Sequence, residues 1–126
     1  MKHRKHKDIQ IQNENLFKKS LNNGVNLLTG AGFSVLATNN MNETLPVVPN
    51  LIKKICSEFN CGTYIDRKLS WLTKQIKRKH STNFDLFLKK LYTVVSYDRN
   101  YKCLAKINIK NILTTNIDDL PEKIFW

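Results

Sequence analysis

Two segments of one build limit what this chain can fold into. Val25–Ser34 reads V-N-L-L-T-G-A-G-F-S, a short apolar run entering a glycine-rich turn. Asn111–Leu120 begins with the apolar run N-I-L and continues T-T-N-I-D-D-L. The first run is too apolar for a strand with one wet face and suits a parallel strand covered on both sides. Val25–Thr29 and Ile109–Leu113 are therefore predicted to be neighbouring parallel strands, with helical sequence between them. In open α/β sheets, ligands bind beyond the carboxyl ends of the strands. Gly30–Ser34 and Thr115–Asp118 are thus expected to face one nucleotide from opposite sides. The predicted fold class is α/β, a Rossmann-like parallel sheet with helices.

The remaining elements follow from apolar spacing. Residues 1–12 read as a flexible basic arm, and residues 13–126 as a single domain. A helix over 13–22 carries Leu16, Phe17 and Leu21 on one stripe, and Asn22-Asn23-Gly24 ends it. Residues 35–49 hold small polar residues and two prolines, which predicts a long ligand-covering loop. Helices follow from Asn50 to Phe59, from Asp66 to Lys79, and from Thr82 or Asn83 through Val95. Residues 96–108 read as a polar connection with a helical turn around Tyr101–Ala105. Asp118 or Asp119 opens a last helix, where Pro121 is tolerated because a first-turn residue needs no intrahelical N–H partner. Two strands do not complete a doubly wound sheet, so the chain is expected to be the amino-terminal portion of a larger domain.

Composition removes several function classes. Hydrophobic residues make up 41% of the chain, enough for a folded core. The sequence has no apolar run long enough to span a bilayer, and no signal-peptide core follows the basic start. A cytoplasmic protein without membrane contact is expected. The net charge of +11 invites a nucleic-acid reading, but the basic residues are spread over the tail and every predicted helix, and that reading is disfavoured. Three cysteines, Cys56, Cys61 and Cys103, fit neither a disulfide framework nor a four-cysteine zinc site. No metal is expected.

The two turns carry the chemistry. Gly30 and Gly32 permit positive φ and close backbone approach, and Ala31 adds almost no bulk. Backbone N–H groups and the Ser34 hydroxyl suit phosphate or ribose oxygens. The dinucleotide fingerprint G-x-G-x-x-G is broken by Val35, which counts against an ordinary Rossmann dehydrogenase. Asn116 and Asp118 sit two apart beyond a strand, placed either to cap a helix or to meet a ligand.

G-A-G-F-S after one strand and T-T-N-I-D-D-L after a later one resemble the sirtuin superfamily, most closely its bacterial antiphage-defence members. Leu45-Pro46 before Asn50-Leu51, and Leu120 with Glu122 and Phe125, fit the same order over about residues 22–126. The resemblance implies that Gly30, Ala31, Gly32 and Ser34, with Phe33 in the same turn, line the pyrophosphate and ribose of NAD. It implies that Asn116 contacts the nicotinamide ribose and helps place the attacking water. Ile117 and Asp118 would meet the carboxamide, and Thr115 stands where deacylases carry Gln. That departure, with the lack of zinc cysteines, favours NAD hydrolysis over protein deacylation.

The resemblance thus implies that NAD is the substrate and that the complete protein is an NAD hydrolase of antiphage defence. The family's general-base His lies beyond the N-x-D motif, whereas His3, His6 and His80 all precede it. This chain alone is therefore expected to be inactive. A carboxyl-terminal segment or a sensor domain, and further copies of the chain, are the expected partners. The alternative is a non-catalytic NAD or ADP-ribose binding module.

Overall fold

A computed structural model describes residues 10–126. Most of the basic arm, including His3 and His6, lies outside the described residues. The described chain is mixed α/β with a small parallel sheet. It runs α1 (Glu14–Asn23), β1 (Val25–Thr29), β2 (Ala37–Asn39), α2 (Val48–Glu58), α3 (Leu69–Tyr92), β3 (Val94–Tyr97), β4 (Ile109–Thr114) and α4 (Leu120–Phe125). Short 3-10 turns occupy Ala31–Ser34, Gly62–Tyr64 and Arg99–Lys106.

The predicted parallel pair forms: Asn26 lies opposite Asn111, Leu27 opposite Ile112 and Leu28 opposite Leu113. Gly24 stops α1 as expected. Its φ of +106° strains any L side chain, and a Cβ there would meet Lys110 Cε at 2.5 Å. The turn thus needs glycine for its angle, whereas the Lys110 side chain is flexible and can yield the room.

Three expectations need correction. The parallel sheet is not covered on both faces among the described residues: Leu28 is 72% and Leu113 58% exposed. Neither of the two buried cores contains a β1 or β4 residue. The sequence leaves the packing of the α1 stripe open, and in the described chain that helix buries no residue.

Second, residues 35–49 are not simply a loop. They contain β2, which pairs antiparallel with β3. Asn39 anchors the following turn: its Oδ1 accepts from the N–H groups of Met41 (3.0 Å) and Glu43 (3.2 Å), and its Nδ2 donates to the Leu91 carbonyl at 3.2 Å. Last, Val95 belongs to β3 and not to the preceding helix.

Two cores position the site. One lies between α2 and α3, where Leu51, Ile55, Leu72, Ile76, Phe84 and Leu91 are buried together. The two helices expected over 66–79 and 82–95 are the two arms of α3, broken at His80 (φ −138°, ψ 42°). On an unbroken helix, Phe84 and Leu91 would sit roughly 90° around the axis from Leu72 and Ile76. The break resets that phase, so both arms face one core. The second core joins Ala37, Leu45, Val94, Leu120 and Ile124, and Tyr92 packs against both.

Candidate functional site

β1 and β4 run parallel, so their exits lie side by side, and the two predicted turns meet there. Thr115 N–H donates to the Thr29 carbonyl at 3.2 Å. Asn116 Nδ2 donates to the Gly30 carbonyl at 2.8 Å and to Ser34 Oγ at 3.4 Å. Ser34 Oγ in turn donates to Asp118 Oδ2 at 2.9 Å, joining positions 84 residues apart. Asp118 Oδ1 accepts from Leu120 N–H at 3.1 Å, which starts α4. Asp118, one residue before the Asp119 cap position, therefore takes the first N–H of α4 and holds Ser34 at once, so the two readings of this residue are not exclusive.

The network fixes the polarity of Asn116. A carbonyl oxygen accepts only from the amide NH₂, so Nδ2 must face Gly30. Oδ1 has no protein donor among the described residues. Asn116 thus presents an acceptor, suited to a hydroxyl, an amide N–H or a water.

A cavity of about 190 Å³ opens beside this network. Ala31, Ser34, Thr115, Asn116, Ile117 and Asp118 form one wall. The opposite wall is apolar: Leu45, Pro46, Val47 and Val48 before and in α2, with Leu51, Leu69 and Tyr92. Ser34 and Asp118 are buried, whereas Ile117 is 63% exposed at the mouth. Gly30 does not line the cavity and meets it only through its carbonyl, which accepts from Asn116. Gly32 and Phe33 lie elsewhere, in a shallow groove shared with Leu36, Tyr101 and Leu104. Phe33 packs edge-on against Tyr101 at 5.4 Å as part of the second core.

The reason given for the glycines is also corrected. Among the described glycines only Gly24 has positive φ, and Gly30 is extended (φ −133°, ψ −171°). What Gly30 and Gly32 offer is space: a Cβ at Gly30 meets nothing nearer than Thr115 Oγ1 at 3.8 Å, and one at Gly32 meets nothing within 4 Å. His80 is far from this chemistry in role: it lies against Phe59 at the α3 break and lines a different cavity. No histidine among the described residues lines the Ser34–Asp118 cavity. Among the described residues no three His, Cys, Asp or Glu side chains are grouped to hold a metal ion.

Tyr92 was not visible as a site residue in the sequence, where it ends an apolar helical stripe. Its hydroxyl donates to the Pro46 carbonyl at 2.8 Å, tying α3 to the apolar wall. Burial, and then the Asp118 carboxylate, push its phenol from the ordinary 10.0 up to about 12. A phenol whose folded pKa is raised stabilises the fold fully below pH 10, and that contribution is lost as pH rises through 12. Tyr92→Phe is accordingly expected to lose about 1 kcal/mol at neutral pH with the hydrogen bond. It should also show a shallower fall in stability between pH 10 and 12 than the parent chain. Denaturant titrations at a series of alkaline pH values check this; parallel curves would show that Tyr92 does not titrate with unfolding.

No family model, curated protein or solved structure matches the chain. Function is therefore argued from the geometry of the site and from the two motifs. No helix among the described residues is long and apolar enough to cross a membrane.

Proposed function

We propose that the carboxyl edge of β1 and β4 binds NAD, in a Rossmann-like manner, and that the complete protein hydrolyses its nicotinamide–ribose bond. The observation that carries this reading is the Asn116–Ser34–Asp118 network, which draws the G-A-G-F-S and T-T-N-I-D-D-L turns onto one cavity. The resemblance of those turns to the sirtuin superfamily supplies the ligand, and with it an antiphage role in the cytoplasm. Cleaving this bond develops oxocarbenium character on the ribose. An acceptor held in place at Asn116 Oδ1 suits a ribose hydroxyl or the attacking water, and its fixed orientation removes an entropic part of the barrier. The buried Asp118 carboxylate gives the cavity a fixed negative end for the carboxamide N–H groups.

The described residues supply binding and orientation but no histidine base at the cavity. That observation favours a second reading for the chain by itself, an NAD or ADP-ribose binding module without turnover.

Gly30→Val tests the site. The extended backbone at Gly30 is one that valine prefers, and a Cβ there makes only an ordinary contact, with Thr115 Oγ1 at 3.8 Å. The variant should keep the parent melting temperature within a few degrees, yet bind NAD at least tenfold more weakly in a calorimetric titration. Equal affinity would remove the phosphate turn from the proposal. Nicotinamide release by the complete protein separates the two readings, because the binding module gives none.

A further inference from the structure

Basic residues that look scattered along the sequence gather on the first arm of α3. Leu72 and Ile76 are buried there, which fixes the inward face. At about 100° per residue, Trp71, Lys74 and Arg78 fall within about 60° of one another on the side away from Leu72 and Ile76, with Trp71 half-buried against the core and Lys74 and Arg78 exposed. Arg67, in the turn before the helix, holds its guanidinium 5.1 Å over the Trp71 ring. Tyr64 packs edge-on to the same indole, with ring centroids 5.0 Å apart. Arg67, Lys74 and Arg78 are exposed.

The sequence from Arg67 to Phe84 contains no Asp or Glu. Lys77, beside the stripe, pairs with Asp85 at 3.6 Å. No carboxylate pairs with Arg67, Lys74 or Arg78 among the described residues. Such a row repels itself until an anion with repeated charges lies along it.

We propose that the Arg67–Trp71–Lys74–Arg78 stripe docks single-stranded nucleic acid. Lys74 and Arg78 stand one helical turn apart and suit successive phosphates. The Arg67–Trp71 stack offers a flat surface that an unpaired base can extend, which a paired base inside a duplex cannot do. A bilayer is the poorer fit. Surface-binding helices set apolar side chains toward the lipid, and here the aliphatic residues of this arm turn inward. The stripe lies on a different element face from the NAD cavity, and the proposal does not depend on that reading.

The test compares two variants of equal charge in the full chain. Lys74→Ala/Arg78→Ala removes two stripe cations, whereas Lys19→Ala/Lys106→Ala removes two from α1 and the Arg99–Lys106 turn. Binding to a labelled oligo-dT strand is followed by fluorescence anisotropy across a salt series. Each phosphate contact contributes about 0.7 to the log–log salt slope on single strands. The stripe variant should therefore show a slope shallower by about 1.4 and, at 0.1 M salt, affinity about 25-fold lower. The control should stay within about threefold. In a Trp126→Phe background, bound strand should quench Trp71 fluorescence.

Equal losses in both variants would overturn the proposal, as would absence of binding or unchanged Trp71 emission. A duplex that competes as well as the single strand would overturn the assignment of strandedness. Anionic vesicles displacing the strand with the same variant dependence would reassign the stripe to membranes.

Discussion

Phe84→Ala should lower the unfolding free energy by about 3–5 kcal/mol, the range for emptying an aromatic site in a packed core. Phe84 is fully buried and meets Phe59 at a ring-centroid distance of 5.8 Å. It follows the break at His80, whereas Leu72 and Ile76 precede it, and all three share one core with Leu51 and Ile55 of α2. The side chain therefore holds the two arms of α3 at their bend as well as filling space. Domains of this size are stable by only about 5–15 kcal/mol, so the variant should sit near the edge of folding at 37 °C. Urea unfolding followed by circular dichroism checks the value. A loss under 1 kcal/mol would mean that the two arms are held together by something other than this core.

How much of this architecture the chain announced varies with the length and spacing of its signals. β1 and β4 are legible because an apolar run bounded by turn residues has few other uses. Their pairing followed from the helical sequence between them. β2 and β3 were missed for opposite reasons. β2 is three residues, A-T-N, with no apolar alternation to mark it. In β3, Val94 and Val95 extend the apolar spacing of the helix before them, so periodicity carries the helix too far. Tertiary contacts decide both: Asn39 bonds to the Leu91 carbonyl only once α3 and β2 are adjacent.

The break at His80 was legible as a polar junction, because no single phase of the helix serves both apolar stripes. What was not legible is that β1 and β4 keep an exposed face. Strand composition announces what a strand can be buried against, not whether this chain supplies the cover.

The site divides along the same line. Asn116, Ser34 and Asp118 were accessible because polar residues of these types directly after apolar parallel strands have a known place in α/β sheets. Leu45–Val48 was legible only as part of a ligand-covering loop, and Tyr92 not at all, because an apolar residue facing a cavity reads the same as one facing a core. Gly32 and Phe33 show the converse. A contiguous motif suggests that all its members serve one ligand, yet the 3-10 turn at Ala31–Ser34 sends successive side chains in different directions. It turns Phe33 into the core and Ser34 toward Asp118.

Asp118→Ala should cost about 2–4 kcal/mol of stability and at least a tenfold loss of NAD affinity. The carboxylate is 8% exposed and accepts from two groups buried with it, the Ser34 hydroxyl and the Leu120 N–H. Removing it leaves both donors without partners in a place water scarcely reaches, and each such loss costs about 1–3 kcal/mol. Affinity follows because Ser34 helps hold the Asn116 amide, so an unanchored Ser34 leaves the acceptor at Oδ1 free to turn. If that chain of contacts is real, the effects are not independent. Ser34→Ala made in the Asp118→Ala background should cost less than Ser34→Ala alone, with a coupling of about 1–3 kcal/mol in a double-mutant cycle. Asp118→Asn should fall between, since it retains an oxygen for Leu120 but loses the charge that strengthens both bonds. Additive losses would mean that Asp118 serves only the start of α4. The two turns would then be neighbours without being one site.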